Sequence, residues 1–162
     1  MAVTLPHTWN AADGTDGGND YFRGICTYTK EFAAPAHADD EEVWLEFEGA
    51  AMTAVVTLND QELTRHAGGY STFRANLTPA LAAQNTLTVT VDNSANRTVY
   101  PQKADFTFYG GLNRLLSTFW MLVVFMLSPS SERMTSPMRL LPSPPLPISM
   151  SIFCPLVVGS RQ

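Results

Sequence analysis

Along residues 1–114, apolar and polar side chains alternate in short runs, the pattern of strands that bury one face. In residues 26–32, Cys26, Tyr28 and Phe32 fall on one face and Thr27, Thr29 and Glu31 on the other. Val43, Leu45 and Phe47 share a face opposite Trp44, Glu46 and Glu48. Residues 53–58 make a third candidate strand, followed by Asn59-Asp60. Both of these side chains tolerate positive φ or bond back to the backbone, so a tight turn is expected there. Gln61–Arg65 then returns as the hairpin partner. Residues 86–91 alternate Thr-Leu-Thr-Val-Thr-Val, and 106–109, Phe-Thr-Phe-Tyr, predict one more strand. Pro79–Ala83 is the single helical candidate, about one turn long.

Short strands separated by turn signals predict an all-β fold, an antiparallel jelly-roll β-sandwich. No βαβ pattern occurs, which excludes a nucleotide-binding α/β fold. The glycine-rich stretch from Asp13 to Asp20 lacks the Lys-Ser/Thr ending of a phosphate loop and reads as a surface loop.

Composition divides the chain in two. Residues 1–114 hold 14 acidic and 7 basic residues, a local charge of -7. Residues 115–162 hold Glu132 and three arginines, a local charge of +2. An acidic domain without a basic patch is not expected to bind nucleic acid or an anionic membrane surface. The two cysteines, Cys26 and Cys154, form no disulfide framework, and no Cys or His cluster has metal-ligand spacing. The opening Met-Ala-Val-Thr-Leu-Pro-His has no basic or apolar leader pattern, so a cytoplasmic location is expected.

Glu46 and Glu48 stand two apart on one strand and point the same way, a spacing that invites comparison with a catalytic carboxylate pair. The better reading is a solvated strand face, since a strand that buries one side commonly wets the other. Asp39-Asp40-Glu41-Glu42 reads as an exposed loop. His7 and His66 have no nucleophile arrangement around them, and Trp9 is expected to anchor the N-terminal segment on the sandwich. Gly68-Gly69 is expected to allow a backbone conformation closed to other residues.

Seven separated segments occur in a fixed order. They are Leu5-Pro-His-Thr-Trp-Asn10; Gly17-Gly-Asn-Asp-Tyr-Phe-Arg-Gly24 with Tyr28–Phe32; Trp44–Gly49; Val56–Asp60; His66-Ala-Gly-Gly-Tyr-Ser-Thr-Phe73; Val89–Asn93; and Ala104-Asp-Phe-Thr-Phe-Tyr-Gly-Gly111. Together they resemble the N-terminal sugar-binding domain of glycoside hydrolase family 2, most closely the β-galactosidase type. The resemblance implies a galactose-binding-like jelly roll from a longer enzyme, followed by a central sandwich and a TIM barrel. That barrel carries the two glutamates of retaining hydrolysis, so no catalytic residue, metal or cofactor is expected in this chain.

The resemblance also implies that loops of this domain help wall a carbohydrate pocket. The matching positions are Asp20, Tyr21, Arg23, Asp92, Asn93, Asp105 and Tyr109, with polar groups for hydroxyls and rings for stacking. Structural roles compete at the same positions: Arg23 with Asp105 as an internal ion pair, and Asp92-Asn93 as a strand-end cap. Two other functional classes stay open, an independent lectin-like module and a structural domain for enzyme assembly.

After Arg114 the resemblance stops. Residues 115–162 contain no Asp, Ala, Lys, Asn or Tyr, yet hold 7 of 11 prolines and 5 of 7 methionines. A shifted reading frame accounts for this: Ser117-Thr118-Phe119 encoded TCG-ACG-TTT would hide GAC-GTT, Asp-Val, which is the family's continuation. The apolar run Leu115–Leu127 is 13 residues long, short of the ~20 a spanning helix needs, so no membrane anchor is expected. The Ser- and Pro-rich stretch 135–147 is expected to be irregular or disordered. The domain is thus expected over 1–114, with its last strand missing and one sheet edge left open.

Overall fold

The computed structural model describes residues 1–9, 22–39, 41–99, 109–112, 124–127, 139–140 and 149–153. Among these residues twelve strands run in chain order: β1 (Ala2–Thr4), β2 (His7–Thr8), β3 (Ile25–Ala33), β4 (Glu42–Phe47), β5 (Thr53–Leu58), β6 (Gln61–Ala67), β7 (Phe73–Asn76), β8 (Gln84–Asp92), β9 (Gly111–Leu112), β10 (Val124–Leu127), β11 (Arg139–Leu140) and β12 (Ser149–Phe153). They form a six-stranded sheet, β1-β12-β3-β8-β5-β6, a four-stranded sheet, β11-β10-β4-β7, and the short pair β2-β9. Every pairing is antiparallel. The expected all-β sandwich is therefore the observed fold. No α-helix occurs among the described residues, so none there is long and apolar enough to cross a membrane.

The period-2 pattern becomes the core. Cys26 and Tyr28 of β3, Ala54, Val56 and Leu58 of β5, and Leu87, Val89 and Val91 of β8 point inward from the larger sheet. Val43, Leu45 and Phe47 of β4, with Ala75 and Leu77, meet them from the smaller one. Burying one such Val or Leu side chain contributes roughly 1.5–3 kcal/mol, so this interface supplies most of the drive to fold. Cys26 lies in this core and is disulfide-bonded, although two cysteines alone suggest no disulfide framework.

The turn at Asn59-Asp60 has φ of 50° and 66°, the left-handed conformation expected of both residues in a two-residue hairpin. Asn59 also donates to the Ala80 carbonyl at 2.8 Å and accepts from the Thr86 N–H at 2.9 Å. The helical candidate is a single 3₁₀ turn, Thr78–Ala80, with Pro79 at its start, where a missing N–H costs nothing. Of the strand expected at 106–109, only Tyr109 lies within the described residues, and it is not in a strand. The glycine-rich loop 13–20 lies outside them.

Beyond Arg114, β10 pairs with β4, β11 pairs with β10, and β12 lies between β1 and β3. Arg139–Leu140 thus forms a short strand within a stretch where proline content argues against regular structure. The edge of β3 away from β8 is paired with β12.

Candidate functional site

Antiparallel pairing gathers four strand ends into one row. Ile25 at the start of β3 pairs with Asp92 at the end of β8, Asp92 with Thr53 at the start of β5, and Thr53 with Ala67 at the end of β6. The segments adjoining these ends are laced together by their backbones. The Asn93 N–H donates to the Gly24 carbonyl, Met52 N–H to Asp92, Gly68 N–H to Met52, Ala51 N–H to Gly111, and Trp9 N–H to Gly110. These bonds span 2.9–3.3 Å. Six separate stretches of sequence therefore meet at one end of the sandwich, a common position for binding loops on a rigid scaffold.

Arg23 and Asn93 come together here, as two of the expected site residues. The Arg23 Nε donates to the Asn93 carbonyl at 2.8 Å, and a terminal nitrogen approaches the Met52 sulfur at 3.7 Å. Asn93 is fully buried, and its Oδ1 accepts from the Gly24 N–H at 2.7 Å. Asp92 closes a local turn by accepting from the Ser94 N–H at 2.7 Å, the cap that the sequence offers as the competing role. Tyr109 is 38% exposed. Asp20, Tyr21 and Asp105 lie outside the described residues. Among the described residues no cluster of His, Cys, Asp or Glu could hold a metal ion.

Glycines set the close approaches. Gly68 has φ of 137°, and its carbonyl lies 3.0 Å from the His66 Nε2. Gly111 has φ of 147°. A Cβ at position 110 would overlap the Trp9 indole, which lies directly on that glycine. Trp9 also packs against the core, with its ring 6.4 Å from Tyr28, in the anchoring role expected of it.

Two features of this end have no clear sequence signal. His66, Phe73 and Phe47 form a stack, with ring centroids 4.3 Å and 4.7 Å apart and planes within 10°. The His66 Nε2 lies 2.9 Å from the Ser71 Oγ. The stack draws on three strands, and only tertiary pairing aligns them. Tyr70 is 49% exposed beside it, and partial burial raises its phenol above the ordinary value.

Below, His7 Nδ1 lies 3.0 Å from the Tyr28 hydroxyl, which also receives a backbone hydrogen bond from Leu112. Burial lowers the His7 pKa and raises that of Tyr28, so both groups are held neutral. Glu46 on β4 accepts from the Arg74 Nε on β7 at 2.6 Å and is mostly covered, while Glu48 is exposed just beyond the end of β4, so the shared solvated strand face expected of the two is not observed.

Residues 22–113 match the family described as glycosyl hydrolase 2 galactose-binding domain-like. A putative beta-glucuronidase of Formosa agariphila is 37% identical over 115 residues, covering 70% of this chain and 14% of that protein. An FMN-binding beta-glucuronidase from Faecalibacterium prausnitzii superposes with a TM-score of 0.65 at 45% identity, over 68% of this chain and 17% of that one. A putative beta-galactosidase from Bacteroides fragilis superposes with a TM-score of 0.64 at 36% identity, over 69% and 17%. The chain thus spans about one-seventh of the curated relative's length. It belongs to glycoside hydrolase family 2, as a galactose-binding-like domain of that family.

Proposed function

We propose that the chain is a non-catalytic carbohydrate-binding part of a β-glycosidase whose parent hydrolyses O-glycosyl bonds. The observation that carries this reading is the extent of the match, which takes in residues 22–113 here and about one-seventh of a full-length relative. The likeness to both beta-glucuronidases and beta-galactosidases supports a β-glucuronide or a β-galactoside as the parent's substrate. The sequence pattern on its own favours the galactoside.

Asp20, Tyr21, Arg23, Asp92, Asp105 and Tyr109 supply the sugar contacts in this reading, whereas Asn93, expected among them from the sequence, is fully buried and acts through the backbone it holds. Arg23 and Asn93 set the backbone of the wall, and Tyr109 offers a ring face. The central sandwich and barrel complete the pocket in the parent. Isothermal titration of the purified chain with galactose and with glucuronic acid tests this. No measurable heat is expected, because most of the pocket is supplied by other domains. Millimolar or tighter binding would instead favour an independent lectin-like module.

A further inference from the structure

We propose that the gap between β1 and β3 is a strand-acceptor site for an extended peptide, occupied by Ser149–Phe153 and able to take that same sequence from a separate molecule. β12 runs antiparallel to β1 through Ala2–Thr4 and to β3 through Thr27–Thr29. The two walls therefore run parallel to each other, two strand spacings or about 9.6 Å apart. Among the described residues β1 has no other ladder. Without β12, two rows of N–H and C=O groups would face each other across a slot one strand wide, which invites strand addition.

The occupant's sequence fits the slot. Met150 is in register with Val3, and Ile152 with Tyr28, both of which are buried. Ser151 pairs with Ala2 and Thr29 and is exposed. From Ser149 to Ile152 the polar-apolar alternation follows the alternation of the wall residues, and Phe153 breaks it opposite Thr27. Upstream, residues 141–148 contain four prolines. Proline lacks the N–H that a ladder needs. The donor also lies beyond the family-matched residues 22–113, whereas the β3 wall lies within them. Cys26, next to the paired Thr27, is disulfide-bonded, and Cys154 directly follows Phe153 in the sequence.

The test compares the full-length chain with its Ile152→Pro variant by hydrogen exchange. With the Cys26 disulfide reduced in both proteins, segment 27–29 is expected to exchange about tenfold faster or more in the variant as position 152 loses its pairing with Tyr28, and segment 2–4 with it as β12 leaves the slot. Excess synthetic peptide of residues 147–155, made with Cys154→Ser, is expected to restore protection at both segments. The same peptide carrying Ile152→Pro is expected not to. If the proline variant does not fold, a chain ending at residue 148, which removes the donor strand itself, is read in the same way. Unchanged protection in the folded variant overturns the proposal, as does a peptide that restores neither segment.

Discussion

Gly24 and Asn93 are joined twice: the Gly24 N–H donates to the Asn93 side-chain oxygen at 2.7 Å, and the Asn93 N–H donates to the Gly24 carbonyl at 3.1 Å. This clasp ties the segment before β3 to the end of β8 and presents the Asn93 carbonyl to Arg23. Asn93→Ala leaves the Gly24 N–H without its acceptor and empties a fully buried position. A loss of about 1–3 kcal/mol is expected, read from urea unfolding of the full chain. Arg23→Ala retains the clasp and should cost less, so an equal or larger loss would count against this role for Asn93.

The contact between Trp9 and Gly110 predicts a steric effect. Gly110→Ala places a methyl group where the indole lies. Displacing a packed ring typically costs about 1–3 kcal/mol, so the melting temperature should fall by several degrees. An unchanged melting temperature would show that Trp9 does not lie on Gly110.

His7 predicts a pH dependence. Its pKa is lowered in the fold by burial, from the ordinary 6.5. The unfolded chain therefore binds more protons than the folded one between the lowered value and 6.5, and stability rises with pH across that window. This contribution is complete above 6.5 and is lost as pH falls through the folded value. Urea midpoints measured from about pH 7.5 down to about pH 5 should decline, and His7→Gln should flatten that decline. Equal slopes in the two proteins would remove His7 as the cause.

The tail predicts something about its gene. If the reading frame shifts after Arg114, a neighbouring frame should continue with Asp-Val and further family-like sequence. Translating the nucleotide sequence in all frames checks this, and the absence of such a continuation in every frame rejects the frameshift.

Much of the sandwich is legible where the information is local. The faces of β4, β5 and β8 follow from alternation within each strand, and Asn59-Asp60 fixes its hairpin through two residues. The short strands are different. His7–Thr8 pairs with Gly111–Leu112 across more than a hundred residues, and two-residue strands carry no periodic signal. Phe73–Asn76 is hard to see because Arg74 interrupts a run of only four residues. At the candidate site, the residue types of Arg23, Asn93 and the Gly-Gly pairs are visible in sequence. Their partners are not, because the clasp, the Trp9 contact and the His66–Phe73–Phe47 stack all arise when distant strand ends meet.

In the proposed function, this chain holds part of a sugar-binding wall without the machinery of hydrolysis. Release of nitrophenol from p-nitrophenyl β-D-galactoside and β-D-glucuronide tests it most directly, using full-length chain from a host lacking both activities. The account predicts release no faster than in enzyme-free buffer. Steady turnover of either substrate, proportional to the amount of chain added, would contradict it.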